Sequence, residues 1–334
     1  MKRKFKILWK LFAAGMAAFG ILSVFSAFYY HVPIRLKSST KSTDYIWEKN
    51  KFYMRATEGY SYGKTDGNGF NNAEIIDDIN ILVMGSSQIE AFNVLQNENA
   101  VYRLNERFKQ GNIDMCAYNI GTSGHSLDYC VNNIENAVKE FSPKDYVIIE
   151  TQETDFSAEA LSKVLNGTHE RLKTSDSGLL YYLQKSDYIR LLYAQYQAYR
   201  LQNVKHSVAA GTELSAEEKY AYEHALDAFL HKASAAVEHC RLIIFLDDFI
   251  KANEKNMVLE REREYYYNAF VNACEKNNII FLDMHDAFAA YYEKENKFPH
   301  GFSNTRVGVG HLNKYGHDVI SQVLYDAITE LEAK

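Results

Sequence analysis

Short apolar runs alternate with longer amphipathic stretches along most of this chain. Five of the apolar runs predict buried strands: Ile79–Met84, Asp114–Asn119, Asp145–Glu150, Leu242–Leu246 and Asn278–Asp283. Runs such as YVIIE and LIIFL are apolar on both faces, as a strand covered by helices on both sides requires. The stretches between them predict helices at about Ile89–Gln110, Ser126–Phe141 and Glu260–Lys276. This alternation favours a parallel α/β sheet with right-handed crossovers.

The alternation is interrupted by an insertion at about residues 156–239, which shows helical patterns only. Within it, Leu179–Leu201 is amphipathic and rich in tyrosine, and Ser215 and Glu218 form a capping box that opens a further helix to about Ala236. We expect the tyrosines to pack against the sheet. The alternative is a platform for sugar rings, since tyrosine has an apolar face and a polar tip.

The N-terminus begins with a basic segment followed by a long apolar run. Leu11–Tyr30 is twenty residues without a charge and is long enough to cross a hydrocarbon core of about 30 Å. The basic residues before it favour a cytoplasmic N-terminus. The run therefore predicts a single-pass anchor in the cell membrane, with the rest of the chain extracytoplasmic. A cleaved signal peptide is the alternative, although the tripeptide Val24–Ser26 is a mediocre cleavage site and the run is long for one.

Charge and length add to this picture. The 334 residues carry a formal net charge of −6, which hides an uneven distribution. Five basic residues precede the apolar run, and no acid appears before Asp44; without those five, 32 basic residues face 43 acidic ones, a net charge of −11. They are Lys2, Arg3, Lys4, Lys6 and Lys10. The rest of the chain is acidic and repels phosphate groups, so nucleic acid is not expected as a partner.

These patterns predict three parts. Residues 1–30 form a cytoplasmic tip and a transmembrane anchor, residues 31–72 a juxtamembrane tether and lead-in, and residues 73–334 one α/β domain that contains the insertion. The four cysteines are widely spaced and favour buried free thiols, although export permits a disulfide. They are Cys116, Cys130, Cys240 and Cys274. No His/Cys cluster has the spacing of a structural zinc site.

Small polar residues follow three of the predicted strands at the point where each ends. Gly85-Ser86-Ser87 follows the first, Asn119–Gly124 the second and Glu150–Asp155 the third, while Gly310–His317 opens the last helix. Ligands bind at the carboxyl ends of strands in an open parallel sheet. These segments therefore bring a hydroxyl group, a candidate base and glycine amides to one edge of the sheet.

Each of these signals is weak when taken alone. Ser87 has an alternative role as a helix N-cap, and Gly121 and Gly124 could serve turn geometry only. His311 could be a solvated or capping residue. His311 and His317 are six residues apart and would not share a helix face well, so a metal pair is not expected. Taken together, the order and positions of these four segments favour a catalytic site.

In this order the segments resemble the SGNH hydrolase superfamily, also called GDSL-like esterases. The first block of that family, whose serine is the nucleophile, is matched by INILVMGSSQIEAF, which places Ser87 in that role. The second block, whose glycine amide joins the oxyanion hole, resembles NIGTSGHSLD at Gly124. The fifth block, whose histidine is the general base, resembles GHLNKYGHDVI at His311. The resemblance covers roughly residues 60–155 and 240–330 and implies a three-layer α/β/α, flavodoxin-like sheet of about five parallel strands.

The sequence departs from the family pattern at three positions. Ser86 replaces the aspartate beside the nucleophile, and Thr154 stands where the third block has its oxyanion asparagine. Gly308 stands where the triad acid would lie, three residues before the histidine. His311 would then be oriented by a backbone carbonyl, by Asn304 or by an acid elsewhere such as Asp283, and the sequence does not choose among them.

The resemblance implies acyl transfer through a serine ester. Ser87 would attack an ester carbonyl, His311 would take its proton, and the amides of Ser87 and Gly124, with the Thr154 hydroxyl, would hold the oxyanion. No metal or cofactor is expected. Water as acceptor gives an esterase and a sugar hydroxyl gives an O-acyltransferase. Exported members of this kind acylate or deacylate cell-surface polysaccharides, so the substrate expected is an acylated glycan, and a membrane-bound acyltransferase is an implied partner.

Two other functions remain open at this stage. The first is a catalytically inert SGNH-like module that binds a glycan or a partner, which the departures favour and the retained Ser87, Gly124 and His311 oppose. The second is a nucleotide-binding doubly wound protein. It is disfavoured because GxGxxG is missing after the first strand and GxxxxGK[ST] is missing altogether.

Overall fold

The computed structural model of this chain describes residues 2–157, 182–203, 215–237, 239–259 and 265–334. The strands are β1 Tyr30–His31, β2 Arg35–Lys37, β3 Tyr45–Trp47, β4 Phe52–Arg55, β5 Ser61–Lys64, β6 Ile81–Met84, β7 Ala117–Asn119, β8 Tyr146–Thr151, β9 Arg241–Leu246 and β10 Ile280–Asp283. The helices are α1 Lys2–Tyr29, α2 Ser87–Glu90, α3 Ala100–Gln110, α4 Leu127–Phe141, α5 Asp187–Asn203, α6 Ala216–Ala235, α7 Tyr265–Lys276, α8 His285–Glu295 and α9 Lys314–Glu332. Short 3₁₀ turns lie at Gln96–Glu98 and Glu153–Phe156.

The centre of the molecule is a five-stranded parallel sheet in the order β7-β6-β8-β9-β10. Each strand matches one of the five apolar runs in the sequence, and the order reverses at β6, as in doubly wound sheets. Alternate side chains build two cores. Leu82 and Val147 face a layer with α4, α6 and α7, whereas Ile81 and Ile148 face α3, α8 and α9. The structure confirms the predicted three-layer α/β/α architecture.

The helix predicted at Ile89–Gln110 is wrong in its first half. The chain forms only one turn as α2, and Ala91 then adopts a left-handed conformation with φ of 57° that ends the helix. Helix α3 begins anew at Ala100, where the side chain of Asn99 caps the amide of Tyr102 at 2.8 Å. A backbone reversal at an alanine has no sequence signal, because left-handed conformations usually fall on glycine or asparagine.

The segment at residues 31–72 was expected to be a tether, but the structure differs. Its strands form two small antiparallel sheets, β1-β4-β5 and β2-β3. They pack on the edge of the large sheet where α2 lies, since Trp47 Nε1 donates to Glu90 Oε1 at 2.7 Å and the Tyr53 and Phe92 rings lie 4.4 Å apart. We call this packed N-terminal unit the N-terminal extension (residues 30–72).

Helix α1 leads directly into this extension. Within the described chain it is the one helix long and apolar enough to cross a membrane, over Lys4–Tyr29, with a mean hydropathy of 2.0. Only two residues, Tyr30 and His31, make up β1, which pairs antiparallel with Arg55 and Met54 of β4. The candidate anchor and the extension are therefore joined by a strand pair.

The predicted insertion is described only in part, because residues 158–181 and 204–214 lie outside the described chain. Helix α6 joins the core layer beside α4, as expected for a helix that begins at the Ser215 capping box. Helix α5 differs from the expectation of core packing. Its described contacts are with α1 and β1, as in the edge-on packing of Tyr188 on Phe19. The four cysteines are free thiols; Cys130 and Cys274 are buried.

Candidate active site

The first element of the site is a sharp turn at the end of β6. Gly85 leaves the strand so close to its neighbours that a Cβ atom there would lie 2.8 Å from Glu150 Oε2. Ser86 caps α2, and its hydroxyl accepts from the Gln88 amide at 3.3 Å. The capping role considered for Ser87 therefore belongs to its neighbour. Ser87 itself is the first residue of α2 and is partly exposed.

His311 lies against Ser87 although the two are far apart in the chain. Its Nε2 atom is 2.9 Å from Ser87 Oγ. The side chain of Gln88 holds the histidine loop on both sides, since Oε1 accepts from the Leu312 amide at 2.7 Å and Nε2 donates to the Gly310 carbonyl at 3.5 Å. One turn of helix thus carries both the hydroxyl and the clamp that positions the imidazole.

The other imidazole nitrogen contacts Glu58, a residue of the N-terminal extension that the sequence analysis missed. Glu58 Oε2 is 2.7 Å from His311 Nδ1, and Oε1 accepts from the His311 amide at 3.1 Å. Burial alone would raise the pKa of Glu58, but the hydrogen bonds and charge of His311 outweigh it and lower the pKa to about 2. An ionised carboxylate only accepts, so Nδ1 donates to Glu58 and Nε2 is the ring nitrogen that faces the Ser87 hydroxyl.

Neither residue named from the sequence as a candidate to orient His311 does so. Both ring nitrogens are occupied by Ser87 and Glu58. Asp283 ends β10, where its carboxylate accepts from the Tyr267 hydroxyl at 2.7 Å and the His285 amide at 3.0 Å. Asn304 does not contact the His311 ring; its side chain binds the loop that carries Glu58.

That loop connects β4 to β5 and is held by the Asn304 side chain at three points. Oδ1 accepts from the Gly59 amide at 2.9 Å, and Nδ2 donates to the carbonyls of Ala56 at 3.0 Å and Gly59 at 3.1 Å. Gly59 has φ of 70°, and a Cβ atom there would lie 2.4 Å from the Asn93 carbonyl oxygen. The carboxylate of Glu58 is therefore fixed by backbone contacts on both sides of the loop.

A second loop brings backbone amides to the nucleophile. The Thr122 amide donates to the Gly85 carbonyl at 2.9 Å, and a Cβ atom at Gly121 would lie 2.7 Å from the Glu90 nitrogen, so Asn119–Gly124 packs directly on α2. Gly124 has φ of 89°, a conformation that favours glycine. No acceptor in the described chain takes the amides of Ser87 or Gly124. The Ser87 amide is therefore a donor directly beside the Ser87 hydroxyl, and the Gly124 amide lies on the loop that packs on α2.

The resemblance predicts a third oxyanion donor at Thr154. It lies exposed on the 3₁₀ turn Glu153–Phe156, whose Phe156 ring stacks on Phe270 of α7 at 4.3 Å. Its carbonyl oxygen accepts from the Ser157 hydroxyl, and within the described residues its side chain forms no hydrogen bond with Ser87 or His311. The role of the Thr154 hydroxyl as a third oxyanion donor stays a prediction.

A buried carboxyl group lies beneath the nucleophile turn. Glu150 Oε2 accepts from the Ser86 amide at 2.7 Å, and the side chain is almost fully buried. Burial, followed by the nearby charge of Asp247, raises the pKa of Glu150 to about 8. The group is therefore mostly protonated at neutral pH, and it holds the turn as a neutral acid.

The connected hydrogen bonds from carboxylate to imidazole to hydroxyl are those of a serine nucleophile with its base. The carboxylate fixes the tautomer, the imidazole can take the hydroxyl proton, and the Ser87 amide lies beside the hydroxyl for developing negative charge. The geometry is thus competent for attack on an ester carbonyl. It requires no metal ion for this step.

No family model matches this chain, and no curated protein matches it. Among solved structures it is similar to the psychrotrophic esterase EstA from Pseudoalteromonas sp., at 15% identity and a TM-score of 0.39, over 76% of this chain and 98% of that one. The acetyl xylan esterase AlAXEase matches at 15% identity and a TM-score of 0.40, over 74% of this chain and 99% of that one. A two-domain esterase active on acetylated mannans matches at 12% identity and a TM-score of 0.42, over 77% of this chain and 50% of that one.

Proposed function

We propose that this chain is a serine-dependent ester hydrolase or O-acyltransferase that works through a covalent acyl-serine. The observation that carries the proposal is the unbroken Glu58–His311–Ser87 chain, with contacts of 2.7 and 2.9 Å. An inert binding module would have no need of an ionised, partly buried carboxylate directed at a histidine and a serine. The acid missing from the usual place before His311 is supplied by the extension.

The reaction begins when Ser87 Oγ attacks the ester carbonyl carbon and its proton passes to His311 Nε2. The carbonyl oxygen becomes an oxyanion held by the amides of Ser87 and Gly124. The intermediate collapses, the bond to the alkoxide breaks, and Nε2 returns its proton to that leaving group. A second acceptor then attacks the acyl carbon of the acyl-serine and gives its proton to Nε2. The bond between the acyl carbon and Ser87 Oγ breaks, and Nε2 returns the proton to Oγ, which restores the free serine and the neutral imidazole. Glu58 remains ionised throughout and stabilises the imidazolium.

The proposal places this site outside the cytoplasm and at the cell membrane, with acylated cell-surface glycans as substrates. The supporting features are the apolar length of α1 and the basic residues on its N-terminal side. The second acceptor is water in a hydrolase and a sugar hydroxyl in a transferase. In the second case a membrane-bound acyltransferase is the proposed partner that supplies acyl groups.

The test uses the full-length protein in detergent, a small acetyl ester and a fluorophosphonate probe. Ser87→Ala and His311→Ala should each lower the turnover number by about 10⁴-fold or more and prevent labelling. Ser86→Ala is the matched control. It removes the neighbouring hydroxyl and a cap worth about 1 kcal/mol, but it should still be labelled. Labelling of Ser87→Ala at the wild-type rate would reject the site, and wild-type protein that never reacts would indicate an inert module.

Hydrolase and transferase are separated by their products. The same protein is given an acetylated donor with and without a polysaccharide acceptor, and acetate and acetylated glycan are both quantified. A transferase gives acetylated glycan that disappears in Ser87→Ala. A hydrolase gives acetate alone, whether or not the acceptor is present.

A further inference from the structure

The loop that carries Gly124 contains a tight turn at Thr122–His125. The His125 amide donates to the Thr122 carbonyl at 3.0 Å, which closes a four-residue β-turn. Gly124 at the third position of the turn has φ of 89°, whereas Ser123 at the second position has a negative φ. A positive φ at the third position alone is the mark of a type II turn.

A type II turn differs from a type I turn in the orientation of its central peptide group. A rotation of that group by about 180° converts one turn into the other. Because the peptide group is planar and trans, the rotation reverses its carbonyl and its amide together. The central group of this turn joins the Ser123 carbonyl to the Gly124 amide. Glycine adopts positive and negative φ with similar ease, so Gly124 permits both turns and contacts around the turn can fix one of them.

The hydroxyl group of Tyr45 makes such a contact. It donates to the Ser123 carbonyl at 2.7 Å. Tyr45 belongs to β3 of the N-terminal extension and is fully buried, with its ring packed edge-on against His125 and beneath the Arg35 guanidinium. Burial, followed by the nearby charge of Glu90, raises the pKa of Tyr45, so the hydroxyl stays protonated and donates. A rotated peptide group would leave this buried donor without its acceptor, which is costly.

The same strand of the extension also holds the side chain of Ser123. The Ser123 hydroxyl donates to the buried carboxylate of Glu90, whose other oxygen accepts from Trp47 Nε1 at 2.7 Å. Tyr45 and Trp47 are two residues apart on β3 and are both buried, as expected for side chains on one face of a strand. Strand β3 therefore fixes Ser123 through its carbonyl directly and through its hydroxyl by way of Glu90.

We propose that Tyr45 is a positioning residue for the oxyanion: its hydroxyl holds the Ser123 carbonyl and so keeps the Gly124 amide in the orientation that binds the oxyanion. The proposal rests on the acyl-serine mechanism proposed above, in which this amide is one of two donors. Gly124 is exposed, so its amide is open to a substrate. Hydrogen bonds made through one polar group polarise each other, so the bond to the carbonyl also makes the amide a better donor. The extension then acts on the imidazole through Glu58 and on the oxyanion through Tyr45.

The test compares Tyr45→Phe with Tyr53→Phe in the full-length protein in detergent. Each change removes one hydroxyl from a fully buried ring of the extension and keeps the ring. The Tyr53 hydroxyl donates to Asn71 Oδ1 at 3.0 Å and not to the turn, so Tyr53→Phe is the matched control. The measurements are steady-state kinetics on the small acetyl ester and the rate of labelling by the fluorophosphonate probe, whose phosphoryl oxygen takes the place of the oxyanion. Circular dichroism reports whether each variant is folded.

We expect Tyr45→Phe to lower the turnover number and the labelling rate by about 30-fold, part of the roughly 10²–10³-fold that a whole oxyanion donor provides. The KM and the pH dependence of kcat/KM should match wild type, because Ser87, Glu58 and His311 keep their contacts. Tyr53→Phe should retain turnover within about threefold of wild type, since its hydroxyl is not bound to the turn. Wild-type turnover in Tyr45→Phe would overturn the proposal, and so would equal losses in the two variants.

A second variant reaches the same peptide group from its other end. Gly124→Ala disfavours the positive φ of the type II turn and so favours the rotated peptide group. It should lower the turnover number by about 100-fold, and it tests the orientation of this group even if Tyr45→Phe does not fold. Because Tyr45 acts through this group, adding Tyr45→Phe to Gly124→Ala should lower turnover by less than about threefold further. Losses that multiply in full, or wild-type turnover in Gly124→Ala, would overturn the proposal.

The wild-type protein keeps the two proposals apart. If it neither hydrolyses the ester nor reacts with the probe, the serine mechanism is rejected and the role of Tyr45 is rejected with it. If the wild-type protein does both and Tyr45→Phe does the same at equal rates, the role of Tyr45 alone is rejected.

Discussion

Ser87 lies near two carboxyl groups that come from different parts of the fold. One of them is ionised at neutral pH and the other is mostly protonated. Glu58 belongs to the N-terminal extension, and its contacts with His311 lower its pKa to about 2 despite burial. Glu150 belongs to β8 of the large sheet, where burial and the charge of Asp247 raise its pKa to about 8. One acid is kept charged by a histidine, and the other is kept neutral by the absence of water.

The difference shows which groups of the site come from the α/β core and which come from the N-terminal extension. The core supplies the serine, the histidine, the amides and a neutral acid that holds the turn. The extension supplies one charge. Pairs of carboxyl groups whose surroundings push their pKa values apart mark distinct roles in a site. The charge proposed to act on His311 therefore depends on how firmly the extension is docked, whereas the turn at Ser87 is held from the core by Glu150 and also contacts the extension through Glu90.

The largest effect should come from Glu58→Gln. The amide keeps the shape but cannot stabilise the imidazolium or enforce the tautomer, so the turnover number should fall by about 10⁴-fold. The urea midpoint should also fall, because the contacts that lower the pKa of Glu58 stabilise the folded state at neutral pH and the amide keeps only part of them, but the protein should remain folded without denaturant. Steady-state kinetics on the small acetyl ester and urea unfolding followed by circular dichroism measure the two quantities.

Glu48→Gln provides the matched control for this variant. Glu48 also belongs to the extension, and its carboxylate accepts from a backbone amide, that of Ile34, at 3.1 Å. It should retain activity within about threefold of wild type, because its charge does not reach the imidazole. Equal losses in the two variants would mean that any neutralised acid in the extension disturbs the site.

A smaller effect is expected when β1 is removed. A chain that starts at Val32 lacks the pairing of Tyr30 with Arg55 and of His31 with Met54, as well as the hydrogen bond from the Ala56 amide to the Tyr29 carbonyl. Glu58 follows three residues after β4, so its loop should loosen and the turnover number fall by about tenfold. A chain that starts at Phe28 keeps the pair and should match the full-length protein. Equal kinetics for the two truncated chains would show that β1 does not stabilise the acid.

The sequence predicted the core side of the site but not the extension side, for physical reasons. Long apolar strands give a clear pattern, and the residues that follow them meet at one edge of the sheet, which located Ser87 and His311. The strands of the extension have two to four residues and mix apolar with polar and charged side chains, so they lack the continuous apolar run that marks the strands of the large sheet. Glu58 lies 253 residues from His311 in the chain, so no spacing motif could connect them.

The tyrosine helix shows a second limit of the same kind. The pattern at Leu179–Leu201 predicted an amphipathic helix, and the described part of this segment contains helix α5. An amphipathic pattern indicates that one face of a helix is shielded from water, but it does not indicate which part of the molecule or its surroundings covers that face. A core layer and a helix beside an anchor give the same periodicity. Only the contacts of Tyr188 and Asp187 with α1 and β1 distinguish them.

Asn304→Ala tests the contact between the Glu58 loop of the extension and the segment of the α/β domain that carries Asn304. The change removes three hydrogen bonds to the Glu58 loop but leaves every member of the catalytic chain in place. The turnover number should fall by about tenfold, since a slightly misplaced carboxylate stabilises the imidazolium less well. Ser303→Ala, an exposed neighbour, is the control and should behave as wild type. Wild-type kinetics in Asn304→Ala would show that the loop holds its own shape.

The smallest effect, and the one that isolates the core side, concerns Glu150. Its folded pKa of about 8 lies above the ordinary 4.5, so the folded state binds the more protons in between, and this contribution to stability falls as pH rises from about 4.5 through 8. Buried His125 and His317, with pKa values lowered to about 3, act in the opposite sense only below their ordinary 6.5. Between pH 6.5 and 8 the Glu150 contribution therefore stands apart.

Glu150→Gln keeps an acceptor for the Ser86 amide but removes the titration. The urea midpoint of the wild-type protein should fall between pH 6.5 and 8, and that of the variant should fall less across the same range. Turnover by the variant should stay within about threefold of wild type at pH 7, because a neutral amide replaces an acid that is already mostly neutral. Parallel pH profiles for the two proteins would mean that Glu150 is ionised in the folded state, and the contrast with Glu58 would then be lost.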